Sequence, residues 1–363
     1  MSADVGRAAR AIRPPVGTAA LGIAAGRRRR ARRTALGCTV LALLALALVV
    51  VSLSVGSTVY SPLDVLRVLL GETVPGASFT VGTLRLPRTL TAVLVGLGFG
   101  MGGVIFQTML RNALASPDII GITSGASAAA VVAIAFFGLS GGAVSVIAVA
   151  AALVTALLIA WLADGRGVMG ARLILIGIGI AAMLQSVIAY VQTRAQFEDV
   201  QESLRWLTGS LNSASWSAVP ALALSMLVLV PLALLLAGRL SMLQLGDESA
   251  TALGVPVRGS RLGLLAVAVC LVAVATAATG PIAFVAFVSG PIARRLVPDA
   301  RVPLIPSALV GIVVVLAADL IAQHVAGLAF SGARFPVGVV TGALGAPFLL
   351  WLLARRNRTG GSL

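Results

Sequence analysis

Apolar stretches of about twenty residues recur along the chain, each closed by a short charged or Pro/Gly-rich break. At ~1.5 Å of rise per residue, such a stretch in helical form matches the ~30 Å hydrocarbon core of a bilayer. Strands of a membrane barrel would be about half as long and would alternate polar with apolar, and these stretches do not alternate. The pattern predicts ten spanning helices, over 35–55, 88–110, 119–137, 141–163, 172–193, 216–237, 260–279, 281–297, 303–324 and 334–354. The fold class is therefore an all-α polytopic membrane protein. Residues 1–33 read as an Arg-rich tail, partly disordered, 34–355 as a single transmembrane domain, and 356–363 as a second tail.

Composition agrees. The 363 residues are 59% hydrophobic and 11% charged, where a soluble domain carries about 25% charged residues. The first apolar run is too long for a signal-peptide core and lacks a small-residue cleavage site, so it reads as a retained helix. Cys38 and Cys270 both lie inside apolar runs, which indicates neither a disulfide nor a metal knuckle.

The net charge of +15 and the run from Arg27 to Arg33 could suggest nucleic acid. Flanking a first span, the same arginines are better explained as the signal that holds it cytoplasmic, and no nucleic-acid partner is expected. With the amino terminus inside, Arg111, Arg166, Arg172, Arg239, Arg258, Arg261, Arg294, Arg295, Arg301, Arg355, Arg356 and Arg358 fall in the cytoplasm. Arg67, Arg85, Arg88, Arg194, Arg205 and Arg334 fall outside. This bias supports an even number of spans with both termini cytoplasmic.

Polar residues inside so apolar a chain narrow the chemistry. Five glycines between Gly96 and Gly103 share one span, as expected where helices pack closely. Asp319 and Gln323, four apart, can satisfy each other, and a lone His324 cannot build a metal site. Gln185, Ser186, Tyr190 and Gln192 give the fifth span a polar stripe. Outside the spans, Ser61-Pro-Leu-Asp64 has the form of a helix start, and 194–215 contains a short interfacial helix around Trp206. The longest inner connection, 238–261, holds a helical turn that begins at Asp247 and Glu248 and ends at Gly254 and Pro256. The chain has no Walker A pattern, Ser/His/Asp set or paired-carboxylate site. It is not expected to be an enzyme or to hold a cofactor or metal.

Seven elements then carry a family resemblance. They are Leu84-Arg-Leu-Pro-Arg-Thr-Leu90; the run from Gly103 through Met109-Leu-Arg-Asn112 to Pro117; Gly121-Ile-Thr-Ser-Gly-Ala126; Gln244-Leu-Gly-Asp-Glu-Ser-Ala-Thr-Ala-Leu-Gly254; Gly280-Pro-Ile-Ala-Phe284; Ile292-Ala-Arg-Arg295 with Ala318-Asp319; and Phe335-Pro-Val-Gly338 through Pro347. In this order and spacing the chain resembles the FecCD family, the permeases of importers for ferric siderophores, haem and cobalamin. The resemblance implies the transmembrane subunit of a type II ABC importer in the bacterial plasma membrane. Two such permeases share one pathway above two ATPase subunits that hold ATP and Mg, and a periplasmic or lipid-anchored binding protein delivers ferric siderophore. Cobalamin and haem are the alternative cargoes, and a secondary transporter is the alternative class. Relatives commonly carry Pro-His before the Ile-Ala-Arg element, where this chain has Ser289-Gly290-Pro291. That departure accompanies permeases with a non-identical partner, so a heterodimer with a paralogue is favoured.

The resemblance also assigns residues. Arg85 and Arg88, with Arg334 as a third basic group, would dock the binding protein. Gln244, Asp247, Glu248, Leu253 and Gly254 would form the element that couples to the ATPase, with Leu243 and Leu245 as further apolar anchors. Gln185, Ser186, Tyr190 and Gln192 would line the pathway.

Overall fold

The structure is a computed structural model and describes residues 16–118, 120–163, 169–325 and 335–358. Its helices in chain order are α1 (Val16–Ser54), α2 (Pro62–Leu69), α3 (Ala77–Met109), α4 (Ile122–Phe137), α5 (Gly142–Ala163), α6 (Met169–Arg194), α7 (Phe197–Thr208), α8 (Val219–Leu243), α9 (Asp247–Ala252), α10 (Val257–Thr279), α11 (Val285–Leu296), α12 (Leu304–Leu320, continued by a π turn Ile321–Val325) and α13 (Val337–Arg358). Among the described residues eight helices are long and apolar enough to cross a membrane, and α4 is a shorter apolar helix. The expected span 281–297 is instead a short irregular stretch and turn, 281–284, followed by α11. Gly280 and Phe284 take positive φ at +74° and +66°, and Pro281 between them cannot continue a helix. The 12 residues of α11 rise only ~18 Å, less than the ~30 Å hydrocarbon core.

At the centre stands α3. Most of its apolar window, 78%, is buried inside the chain, against α1, α8, α10, α11 and α12, and Phe99, Met101, Ile105 and Phe106 are fully enclosed. Its glycines explain how five helices reach one axis. A Cβ on Gly96 would lie 2.6 Å from the Gly311 carbonyl oxygen of α12, and one on Gly103 would overlap the Ala286 carbonyl of α11. Lipid supplies no hydrophobic drive between helices, so backbone contact of this kind is what packs them. Gly103→Ala is expected to cost about 1–3 kcal/mol through overpacking against backbone that cannot yield. Gly259→Ala, which meets open space, is the neutral control. Thermal unfolding in detergent compares the two.

α3 also begins earlier than the sequence suggests, at Ala77 rather than near Arg88. Residues Thr80–Arg85 form a π turn in which the Leu86 N–H bonds to Val81 O, five residues back. Pro87 follows, without an N–H and with a ring that crowds the preceding turn, and the widened turn accommodates it without ending the helix.

The termini of the described region lie at one end of the bundle. Arg33 of α1 pairs with Asp299 at 3.8 Å, Arg294 donates to Thr108 at the end of α3, and Arg295 stacks over Trp351 of α13 at 4.3 Å. This arginine-rich end also gathers Arg111, Arg258 and Arg261. The opposite end holds α2, capped by Ser61 onto the Asp64 N–H at 3.1 Å, and the amphipathic α7.

Candidate functional site

Chemistry-bearing side chains concentrate at the two ends of the bundle and on one face of α6. At the arginine-rich end α8 runs on to Leu243 and α10 starts at Val257, so the connection expected over 238–261 shortens to Gln244–Pro256. Gln244 caps α8. Gly246, at φ +110°, turns the chain out into α9, a conformation only glycine adopts without strain. Asp247 and Glu248 occupy the first turn of α9, where acids suit the helix dipole. The stop is Gly254 at φ +80°, whose N–H bonds to Thr251 O while the Val255 N–H bonds to Ala250 O.

Ala250 seats this knuckle on the bundle, while Leu245 and Leu253 remain 62% and 59% exposed. Leu243 is buried within the chain at 3%, which corrects its expected role as a third anchor. Asp247 is not simply presented outward either. Its Oδ1 accepts from Arg261 at 2.7 Å and lies 3.5 Å from Arg111, whose guanidinium also donates to Leu243 O at 2.9 Å. Two arginines from the end of α3 and the start of α10 thus fix the attitude of α9, and both Asp247 and Glu248 stay exposed at its start. Sequence reasoning missed both arginines as members of this element, because each reads as one more positive flank to a span. Beside α9 opens a cavity of about 730 Å3, bounded by Arg111, Trp161, Leu245, Asp247 and Arg258.

At the opposite end Arg85 and Arg88 use their donors inside the chain. Arg85 donates to Leu53 O, Ser54 O and Thr58 O at 2.8, 2.9 and 2.6 Å and lies over the Tyr60 ring at 5.2 Å. It pairs the Leu53 carbonyl at the end of α1 and joins the Tyr60 N–H on the Ser54 carbonyl. Arg88 holds Asp319 of α12 in a two-pronged pair, Nε to Oδ2 at 3.0 Å and Nη2 to Oδ1 at 2.7 Å, and its Nη1 donates to Asn212 at 2.8 Å. Gln323 adds a 2.6 Å bond to the same Asp319, so the expected Asp319–Gln323 pairing exists and Arg88 completes it. His324 lies 3.1 Å from the Leu320 carbonyl, bonded within its own helix. Arg334 lies outside the described residues.

α6 buries Leu173, Ile188 and Val191 against its neighbours and leaves the other side bare, with Met183 and Tyr190 exposed at 70% and 59%. Gln185 and Ser186 share that bare side, the Ser186 hydroxyl donating back to Ala182 O at 3.0 Å. Gln192 sits at its margin, half-buried, with an amide nitrogen that has no partner among the described residues. The face is weakly polar and undivided by charge until Arg194, which lies 5.8 Å over the Tyr190 ring.

Comparison with known proteins agrees with this architecture. Residues 43–355 match the FecCD transport family. The chain is 38% identical to the ferric enterobactin transport system permease FepG of Escherichia coli, over 90% of this chain and 98% of that one. It is 36% identical to the iron(3+)-hydroxamate import permease FhuG of Bacillus subtilis, over 85% and 93%. Among solved structures, an inward-facing ABC transporter described as of metal-chelate type superposes with a TM-score of 0.77 at 28% identity, covering 88% of this chain and 98% of that one. A helical bundle wound on a central glycine-rich helix, and similar over most of its length to iron-chelate permeases, is a member of the FecCD transport family: the chain belongs with the membrane permeases of ABC transporters.

Proposed function

We propose that this chain is the membrane subunit of an ATP-driven importer that carries a ferric siderophore from a binding protein to the cytoplasm by alternating access. The observation that carries the reading is the end-to-end similarity to ferric-siderophore permeases, 38% identity across 98% of the enterobactin permease. The knuckle at α9 supports it. A transporter powered from outside its own chain needs a rigid element that offers apolar side chains to the power source, and Leu245 and Leu253 on a turn braced by Arg111 and Arg261 have that form. The arginine-rich end faces the cytoplasm in this reading, as the charge bias requires, and both termini lie there, in the plasma membrane of a bacterium.

Two permeases form the pathway, and we favour a paralogue over a second copy as the partner. The bare, weakly polar face of α6, with Gln185, Ser186, Tyr190 and the marginal Gln192, suits a wall along which a large polar chelate slides without sticking. Two ATPase subunits hold ATP and Mg and seat on Gln244, Asp247, Glu248, Leu253 and Gly254. The binding protein docks at the opposite end, around Arg85 and Arg88, with Arg334 as the third basic group. Because Arg88 already serves Asp319, the part of a docking contact that Arg85 can add is small, up to about 1 kcal/mol for an exposed pair.

The cargo is tested by deletion. A strain lacking this gene is expected to lose uptake of iron-labelled siderophore and to keep uptake of haem and of cobalamin. Loss of cobalamin or haem uptake with siderophore uptake intact would assign the chain to the other cargo.

A further inference from the structure

We propose that a groove at the arginine-rich end, between α1 and the end of α8 and closed by the α11–α12 connection, binds an anionic phospholipid with Arg27, Arg30 and Arg301 on its headgroup phosphate. The groove has a volume of about 750 Å3, and its wall changes character along the helices that line it. Arg27, Arg30 and Arg301 lie toward the end of the bundle, while Cys38 and Leu234 lie two or more turns further into α1 and α8, with Ile305 in the first turn of α12. Gly238 makes room on the α8 side, since a Cβ there would meet nothing within 4 Å.

The level is right for a headgroup. From Thr34 to Ser54 α1 rises ~30 Å, which fills the hydrocarbon core and leaves Arg27 and Arg30 at the polar boundary. The charges there are unspent. Asp299 is the only acid on the groove, and Arg33 engages it at 3.8 Å. Arg27, Arg30 and Arg301 make no ion pair among the described residues. The groove is continuous with surface that faces acyl chains, since Leu36 and Val40 of α1 and Leu235 of α8 are largely exposed. Arginines that merely oriented the first span would need no cleft between them. A cationic rim at the headgroup boundary, continued by an apolar wall along α1 and α8, fits a phosphodiester carrying acyl chains. This rests on the chain crossing a bilayer and not on what it transports.

Native mass spectrometry of the purified permease, titrated with phosphatidylglycerol or phosphatidylcholine, tests it. Wild type is expected to retain phosphatidylglycerol at least about tenfold more tightly than phosphatidylcholine. Arg27→Gln with Arg30→Gln and Arg301→Gln should abolish that preference, while Arg28, Arg29, Arg32 and Arg33 keep the orientation signal. Gly238→Leu, which fills the groove and leaves every charge in place, should weaken retention of both lipids. Equal retention of the two lipids by wild type would overturn the proposal. So would undiminished phosphatidylglycerol retention in both variants, each checked for an unchanged melting temperature.

Discussion

Arg88→Ala is expected to lower the stability of the permease by about 3–5 kcal/mol, the cost of removing one partner from a buried ion pair. Asp319 is the reason. Its side chain is 4% exposed, against 19% for Arg88, so the carboxylate cannot recover hydration, and Gln323 alone would face it. The converse change, Asp319→Ala, should cost less, because Arg88 retains its bond to Asn212 and some access to water. Arg88→Ala with Asp319→Ala should be less damaging than Arg88→Ala alone, which makes the non-additivity of a double-mutant cycle the diagnostic. Thermal unfolding in a fixed detergent reads all three. An Arg88→Ala protein that melts like wild type would show that α3 and α12 do not depend on this pair. The result also governs how transport defects are interpreted. Arg88→Glu would set a second carboxylate beside Asp319, and Arg85→Glu would set one against three backbone carbonyls, so loss of uptake in either would report on folding before docking.

The second large effect is expected from Leu253→Asp. Leu253 closes α9 with its side chain outward, next to the glycine that ends the turn. If it fills a dry groove on the ATPase, a carboxylate there incurs an uncompensated desolvation cost, and central apolar anchors are where such interfaces hold most of their energy. Stimulation of ATP hydrolysis by loaded binding protein should fall to the basal rate, while insertion and binding-protein capture survive. Asp247→Ala with Glu248→Ala should act more mildly and worsen at high salt. Part of that effect would arise inside the chain, because Asp247 is what Arg111 and Arg261 grip to aim the knuckle. Full stimulation in the Leu253→Asp complex would move the coupling contact to another segment.

What could be seen in the sequence follows from what hydropathy encodes. Span length and arginine bias act locally, so the bundle and its arginine-rich end were legible. The resemblance marked α9 because its glycines, acids and leucines are adjacent. The helix ends were less legible, since Gln244 and the residues around Pro87 carry no break strong enough to separate a helix that stops from one that widens by a π turn. The pass at 281–297 was misjudged for a related reason. Its apolar content suits a span and hides the Gly280-Pro281 break, and Phe284 is not a residue that announces a positive φ. The Arg88–Asp319 pair was invisible because 231 residues separate its partners. Each looked accounted for on its own, Arg88 as an outer flank and Asp319 as a partner for Gln323. Arg111 and Arg261 escaped in the same way, since a positive flank and a clamp on Asp247 have the same sequence.

Proteoliposomes holding this chain, its paired permease and the ATPase, with loaded binding protein supplied on the outer side, decide the central claim. Accumulation of iron-labelled siderophore should require ATP hydrolysis in the lumen and should persist when an ionophore collapses every ion gradient. Accumulation by the permease without the ATPase, driven by an imposed proton gradient, would contradict the account and make the chain a secondary transporter.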